Sequence, residues 1–326
     1  MTNHQTPPPA RPAGPGPRSV AGHGSEPPTT ALGHARVTVA PQAAHRLAAT
    51  CTTAMDGHRW NLADTVLARR ELTAEPRLVT ALATAMRRTG HLTADLPPDL
   101  DDHQLRLAAS AVLAAFGRPF NSIDDGTGSL WIGGESNAGR DAASFGGLGA
   151  QGLHQDAPNV ERMPDFTALL FLRPDPAGGG ASLTGDLHAA AAELSAADHH
   201  ELKLPLCSEG RAEHLRGVGA PRLPFPVLQD TAHGLQIRWA AKLLTDPRNT
   251  EHLPVLHRFA QALERHTTVT HAARGQLLII DQHRTAHGRQ ALGDQRPWPD
   301  GTRRLIVQAK AAFEQSAPAT NAGSRR

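Results

Sequence analysis

The chain has 326 residues, two cysteines and a formal net charge of +2. This nearly neutral balance provides no strong field for nucleic acid or an anionic membrane, and two cysteines cannot form a disulfide framework. No charged-then-apolar leader is seen and no apolar run approaches the roughly 18 residues of a membrane helix, so we expect a protein of the reducing cytoplasm that binds neither nucleic acid nor membrane.

Composition divides the chain into three parts. Residues 1–35 and 314–326 contain few large apolar side chains and are predicted to be disordered tails. Residues 36–313 are predicted to form a single domain. Its first portion, from Pro41 to about Phe116, has a helical pattern, with a helix start at Asp101-Asp102.

Short strand-like segments follow a glycine-rich stretch at residues 126–152. Helices followed by many short strands with inserted helices are typical of an α+β domain built on a β-sandwich, so we expect a jelly-roll core with a site in its mouth. The predicted strands are Leu130–Ile132, Phe166–Leu172, Ala181–Leu183, Gly234–Trp239, Gln276–Ile280 and Leu305–Val307, and the predicted helices are Leu187–Leu202 and about Thr250–His266.

A His-x-Asp triplet, His154 and Asp156, lies just before the apolar segment 166–172. In an extended chain, residues i and i+2 point to the same face, so both side chains can hold one metal ion. A third ligand is available at His283 or His287, and the pattern alone leaves that choice open. Two histidines and one carboxylate form the facial triad of mononuclear non-haem iron(II) oxygenases, which leaves three iron positions for cosubstrate and oxygen. Among 19 histidines, however, chance pairs are also expected.

Two other segments carry groups that suit an anion. Ser182 follows the triple glycine at residues 178–180 and is either an ordinary strand residue or an anion-binding hydroxyl. Arg303 and Arg304 precede the last predicted strand. If that strand alternates, one of the two points inward, and an inward guanidinium needs an anionic partner.

These segments occur in the order of a known family. Over roughly residues 120–310, the chain resembles the iron(II)/2-oxoglutarate-dependent oxygenases of the taurine dioxygenase and clavaminate synthase type. The resemblance is carried by residues 154–156, by 164–174 and by 275–289. It implies a double-stranded β-helix (jelly-roll) core with flanking and inserted helices, iron(II) as the metal, and 2-oxoglutarate and O₂ as cosubstrates.

The resemblance also implies a ligand set. The family pattern Asp-Asn-x-Arg-x-x-His-x-Arg selects His287 over His283 as the third ligand, beside His154 and Asp156. Gln282 stands where the pattern has Asn.

A family Arg at the start of the last strand binds the distal carboxylate of 2-oxoglutarate, assisted by a hydroxyl that follows the glycine-rich turn. These roles fall on Arg303, with Arg304 one step away, and on Ser182. A short insertion at about residues 296–299 leaves the choice between the two arginines open.

Members of the clavaminate synthase branch often oxidise amino acids or their derivatives in natural-product pathways, and an amino-acid-like small molecule is the expected substrate. The reaction would be hydroxylation, desaturation or cyclisation, as in antibiotic biosynthesis. Candidate substrate contacts are Glu135 and Asn137 in the glycine-rich segment, and Arg238 in a predicted strand. The alternatives are a zinc-dependent hydrolase and a non-catalytic cupin-like binding protein that use the same three side chains.

Overall fold

The protein is described by a computed structural model in four ranges, residues 35–55, 60–120, 129–206 and 224–313. All four ranges belong to one unit of the chain. Apart from Ala35, the tails predicted at 1–35 and 314–326 lie outside these ranges. Within them, no helix has both the length and the apolar character needed to cross a membrane.

Four helices dominate the first part of the structure. They are α1 Pro41–Met55, α2 Leu62–Leu72, α3 Pro76–Thr89 and α4 Asp102–Ala114. α3 ends at Gly90, whose φ of 71° and N–H bond to the Met86 carbonyl (2.8 Å) turn the chain out of the helix. α4 begins after Asp101, as the sequence predicted, and Asp101 and Gln104 form a capping box there.

Thirteen β-strands are found among the described residues. They are β1 Arg36–Thr38, β2 His91–Asp95, β3 Arg118–Phe120, β4 Ile132–Glu135, β5 Gln151–His154, β6 Phe166–Arg173, β7 Ser182–Asp186, β8 Leu228–Thr231, β9 Gly234–Ile237, β10 Thr267–Thr270, β11 Gln276–Asp281, β12 Thr285–Arg289 and β13 Leu305–Ala312. The prediction of one helical stretch from Pro41 to Phe116 is wrong at β2, because this segment after Gly90 is drawn into a sheet by antiparallel pairing with β11.

Two sheets face each other, as expected for a jelly roll, and the predicted α+β fold class is confirmed. The larger sheet has the order β1-β2-β11-β6-β13-β3, and β4 also pairs with β13. The smaller sheet has the order β10-β7-β12-β5, and all its pairings are antiparallel. β8 and β9 form a separate hairpin.

Three further helices cover the smaller sheet. The single helix predicted at residues 187–202 is in fact two, because Ser195 caps a second helix with its hydroxyl and through a capping box with Asp198. The helix predicted at about 250–266 begins only at Leu253, because the residues before it, 247–252, form a 3₁₀ segment. These helices are α5 Leu187–Ala192, α6 Ala196–Leu202 and α7 Leu253–Arg265.

Strand alternation separates the core into layers. In β6, Ala168 and Leu170 pack against α1–α4, whereas Leu169 and Phe171 lie in a different cluster on the opposite face, together with Ile306. Burial of each large apolar side chain stabilises the fold by about 1.5–3 kcal/mol. The face of the larger sheet that carries Leu169, Phe171 and Ile306 is directed at the smaller sheet. Polar side chains on this face therefore lie inside the jelly roll.

Candidate active site

The three predicted metal ligands come together between the sheets. β5 and β12 are neighbours in the smaller sheet, with His154 opposite His287, and their ring centroids are 4.4 Å apart. Asp156 follows β5, with Oδ1 3.9 Å from His154 Nε2 and Oδ2 3.5 Å from His287 Nε2. One ligand atom from each residue lies within 4.8 Å of the other two. Two imidazoles and one carboxylate at this spacing fit a single first-row metal ion such as iron(II).

Both histidines offer their Nε2 atoms. His154 donates its Nδ1–H to the Gly152 carbonyl oxygen at 2.8 Å, so Nε2 is the ring nitrogen available to a metal ion. Burial lowers the pKa of His287 to about 3, against the opposing pull of Asp156, so this ring is neutral at physiological pH. A neutral imidazole is the form that binds a metal ion.

Asp156 is held as a carboxylate by its neighbours. Burial by itself would raise its pKa, but the charge of Lys310 and the hydrogen bond from Lys310 bring the pKa well below its usual value. Its Oδ2 atom also accepts a hydrogen bond from Thr167 Oγ1 at 2.6 Å. Neither Lys310 nor Thr167 was identified from the sequence.

Gln155 and Gln282 fix the spacing of the ligand-bearing segments. The Gln155 side chain donates to the carbonyls of Ile237 (3.0 Å) and Gln282, and it accepts from Trp239 N at 2.6 Å. Gln282 Oε1 in turn accepts the Asp156 N–H at 2.5 Å. The Gln282 side chain, at the position where the family pattern has Asn, therefore holds the backbone of the proposed metal ligand Asp156.

His283, the internal competitor, lies away from the triad. Its Nε2 is 2.7 Å from Asp165 Oδ1, and this hydrogen bond raises the pKa of His283. Asp165 also accepts the Phe313 N–H at 2.7 Å. The structure therefore places His287 in the site and His283 in a separate ion pair.

Arg304 points into the same cavity as the triad. It lines that cavity together with Ser182, His154 and His287, and only 5% of the residue is exposed. Its guanidinium has no hydrogen-bond or ion-pair partner among the described residues. Burial lowers the pKa of Arg304 to about 9, and the nearby charge of Arg289 acts in the same direction. A buried guanidinium that no protein group neutralises is suited to bind an anionic ligand.

Gly180 makes room for that guanidinium. Its φ of +69° suits glycine, and a Cβ at this position would lie 3.3 Å from Arg304 Nε. The glycine-rich turn before Ser182 therefore leaves space for the Arg304 side chain at the edge of the cavity.

Arg303, to which the sequence assigned the contact with 2-oxoglutarate, lies outside the cavity. The prediction is wrong by one residue, because Arg304 is the arginine that lines the cavity. Its Nε donates to the Trp298 carbonyl at 2.9 Å, and its Nη1 is 2.9 Å from Asp300 Oδ1. Strand alternation explains the difference. Arg304 shares the inner face with Ile306, which lies in the cluster between the sheets, whereas Arg303 shares the other face.

The three substrate contacts suggested by the sequence are engaged elsewhere. Glu135 pairs with Arg173 and accepts the Gly301 N–H at 2.9 Å. Asn137 Oδ1 accepts the Gly139 N–H at 2.7 Å, which forms a local turn. Arg238 donates to the carbonyls of residues 158 and 160, each at 2.7 Å. None of the three lines the cavity of the triad.

Arg289 has a structural role that the sequence did not show. It is buried and donates to the carbonyls of Phe145 (2.9 Å), Gly147 (2.9 Å) and Gly149 (2.6 Å). Phe145 lines the cavity. Arg289 therefore holds the glycine-rich segment against the site.

A family model gives the class of the protein. The model described as "Taurine catabolism dioxygenase TauD, TfdA family" matches residues 76–309. The chain belongs to this family. It is an iron(II)- and 2-oxoglutarate-dependent dioxygenase, as the resemblance implied, and the donor set of the site fits the metal.

Solved structures similar to this dioxygenase confirm the fold. An asparagine oxygenase in complex with Fe(II), 2S,3S-3-hydroxyasparagine and succinate has a TM-score of 0.70 and 21% identity, with 86% of this chain and 94% of that chain covered. The non-heme iron oxygenase OrfP in complex with Fe and alpha-ketoglutaric acid has a TM-score of 0.64 and 19% identity, with 86% and 94% covered. OrfP is also known with succinate and (3S)-hydroxy-L-Arg, at 18% identity, a TM-score of 0.64, and 85% and 94% covered. No curated protein sequence matches the chain at a significant level.

Proposed function

We propose that this dioxygenase hydroxylates an amino acid or an amino-acid-derived small molecule in specialised metabolism. The observation that carries the activity is the His-Asp-His triad beside the unpartnered, buried Arg304 in one cavity. The substrate class is supported by the structures with the same fold, which hold hydroxyasparagine or hydroxy-arginine as ligands. Desaturation or cyclisation of the same kind of substrate is the variant outcome.

In this proposal His154, Asp156 and His287 hold iron(II). With 2-oxoglutarate and O₂, the iron supplies the oxidising power needed to break an unactivated C–H bond. Arg304 binds the distal carboxylate of 2-oxoglutarate through a charge-assisted pair, and the Ser182 hydroxyl donates to the same carboxylate.

The rest of the cavity shields the reaction. Phe145 and Leu169 present apolar surface next to the triad and exclude water from it. Gln155 and the buried strands hold the three metal-binding side chains at a fixed spacing before iron or 2-oxoglutarate binds. The chain itself thus binds, orients and protects, and contributes no nucleophile.

The zinc hydrolase alternative lacks a necessary group. A metal hydrolase uses a general base beside its bound water, and Asp156 is the only carboxylate among the described residues that line the cavity. Asp156 is one of the three proposed ligands, so it is not free for that role. The match to a family of dioxygenases favours a catalytic protein over the cupin-like alternative.

We also propose a cytoplasmic location, which is supported by the content of only two cysteines and by the preference of iron(II) for a reducing compartment.

Anaerobic reconstitution tests the class. Protein mixed with iron(II) and 2-oxoglutarate should develop a weak visible charge-transfer band, and admission of air should release succinate. His154→Ala, Asp156→Ala and His287→Ala should each remove the band, whereas His283→Ala, a change of the same kind outside the triad, should keep it. A band that survives in His287→Ala and disappears in His283→Ala would contradict the ligand set.

A substrate screen tests the second half of the proposal. L-Amino acids and their derivatives are added one at a time, and succinate formation is compared with the uncoupled rate without substrate. We expect at least one amino acid or derivative to stimulate succinate release and to gain one oxygen atom by mass spectrometry. If only apolar or sulfonated compounds stimulate turnover, the substrate class is wrong while the oxygenase class stands.

A further inference from the structure

Lys310 is a buried lysine at the metal site that the family pattern did not single out. Only 4% of the residue is exposed, and its ammonium contacts Asp156 Oδ2, the Thr167 hydroxyl (3.2 Å) and the Gln308 side-chain oxygen (3.1 Å). Lys310 in β13 stands opposite Thr167 in β6. Burial of an ammonium is costly unless the group is paired, so its place between the sheets calls for a specific role.

The two oxygens of Asp156 have different surroundings. Oδ2 accepts hydrogen bonds from Thr167 Oγ1 (2.6 Å) and from Lys310 Nζ, and these two donors use both of its lone pairs. Oδ2 lies 3.5 Å from His287 Nε2 but is already engaged by its two donors, whereas Oδ1 has no hydrogen-bond donor among the described residues and lies 3.9 Å from His154 Nε2. The protein therefore occupies one oxygen and leaves the other free for a metal ion.

We propose that Lys310, together with Thr167, is a positioning residue that restricts Asp156 to monodentate metal binding through Oδ1. The inference rests on the proposed function, in which Asp156 is a ligand. Two histidines and a bidentate carboxylate fill four of the six positions of an octahedral ion. Only two would then remain for a chelating keto acid, with none for oxygen. Monodentate binding keeps three positions open.

Charge neutralisation alone is a competing explanation for Lys310, and Thr167 separates the two roles. Thr167 is fully buried and donates to the same Oδ2, but it carries no charge. A neutralising lysine would act without help from Thr167. A positioning pair requires both donors, so removal of either one should let Asp156 rotate toward bidentate binding.

The test compares Lys310→Met and Thr167→Val with wild type in metal-loaded, oxygen-free protein. Each is titrated with 2-oxoglutarate while the visible charge-transfer band of the iron(II) chelate is recorded. We expect the apparent Kd for 2-oxoglutarate to rise about tenfold in Lys310→Met and by a smaller factor in Thr167→Val. The band at saturation should fall to less than half in both.

Cobalt(II) binding gives a readout that is independent of turnover. We expect its Kd in Lys310→Met to stay within about threefold of wild type, because removal of an ammonium that repels the metal offsets the loss of orientation. Thr167→Ser should restore the band. Lys203→Met, a lysine that pairs with Asp230 at the surface, is the matched control and should behave as wild type.

The outcomes separate this inference from the proposed function. If wild type shows no band, the proposed function fails and this inference fails with it. If wild type shows the band and both variants keep it in full, only this inference is overturned. Loss of cobalt(II) binding in Lys310→Met also overturns it, because Lys310 would then support the whole site. If Lys310→Met does not fold, Thr167→Val and Thr167→Ser decide.

Discussion

Replacement of Arg304 by Met tests the 2-oxoglutarate site most directly. Met keeps most of the length and the apolar part of the side chain and removes the guanidinium. Loss of one partner of a buried, hydrogen-bonded charge pair costs on the order of 2–5 kcal/mol. The Kd for 2-oxoglutarate should therefore rise by roughly thirtyfold to a few thousandfold, since about 1.4 kcal/mol corresponds to a factor of ten.

The same change should stabilise the protein when no cosubstrate is bound. The Arg304 guanidinium is buried without a hydrogen-bond partner among the described residues, and burial lowers its pKa from 12.5 to about 9. At about 1.4 kcal/mol for each pKa unit, the charged form is disfavoured by up to roughly 5 kcal/mol. The attraction of Asp175 and imperfect packing of Met reduce the gain, so we expect the free energy of unfolding to rise by about 1–3 kcal/mol.

Thermal unfolding of cobalt(II)-loaded protein, with and without 2-oxoglutarate, measures both effects at once. Wild type should show a clear rise in Tm on addition of 2-oxoglutarate. Arg304→Met should begin at a higher Tm and show little further rise. Arg303→Met is the control, because Arg303 contacts only the turn before β13 and should keep the response of wild type. A large loss of response in Arg303→Met with a normal response in Arg304→Met would refute the assignment.

Three smaller changes test the surroundings of the site. Ser182→Ala should weaken 2-oxoglutarate binding by about 1 kcal/mol in the same titration, and an unchanged Kd would remove Ser182 from the pocket. Arg289→Met leaves three carbonyls in residues 145–149 without a donor, so it should lower the free energy of unfolding by about 3 kcal/mol and speed amide hydrogen exchange in this segment. Unchanged exchange would show that Arg289 does not hold the segment in place. Glu135→Gln weakens a half-buried pair with Arg173 and should cost about 1 kcal/mol of stability. The KM for a substrate found in the amino-acid screen should not change, and a clear rise in that KM would return Glu135 to the substrate site.

The alternation of side chains in the last strand, β13, distinguishes Arg304 from Arg303, whereas the distance from His287 along the chain does not. From Leu305 to Ala311 the odd positions are all apolar, whereas Gln308 and Lys310 at even positions are polar. Period-two alternation puts Arg304 on the face of these polar residues. The same pattern would have identified Lys310 as a polar residue on the inner face, close to the metal ligands.

Other features depend on contacts that no local pattern contains. Glu135 and Arg238 are charged residues near predicted strands, and their partners come from segments distant in the chain. Charge and position alone did not distinguish a substrate contact from a structural pair. β2 similarly has no strand signal of its own and becomes a strand by pairing between β1 and β11. In contrast, the metal triad could be predicted, because His154 and Asp156 are two residues apart in the chain and His287 belongs to a family motif.

The two histidines that competed for the third ligand position should respond to pH in opposite directions. Burial lowers the pKa of His287 to about 3, so below its ordinary value of 6.5 the unfolded chain takes up a proton that the folded protein does not. Metal-free protein should therefore lose stability from this residue as the pH falls below 6.5, by about 2 kcal/mol at about pH 5. The hydrogen bond that His283 donates to Asp165 raises the pKa of His283, so its contribution to stability is fully present below 6.5 and is lost as the pH rises through the raised value.

Urea unfolding of metal-free wild type, His287→Gln and His283→Gln at about pH 5 and about pH 7.5 separates the two effects. In His287→Gln, stability relative to wild type should improve as the pH falls, because the variant has no buried imidazole to protonate on unfolding. In His283→Gln, stability relative to wild type should be worse at the lower pH, because wild type retains the charged pair with Asp165 there. If the stability of both variants relative to wild type changes in the same direction between the two pH values, the folded protein does not place His287 and His283 in the different environments described above.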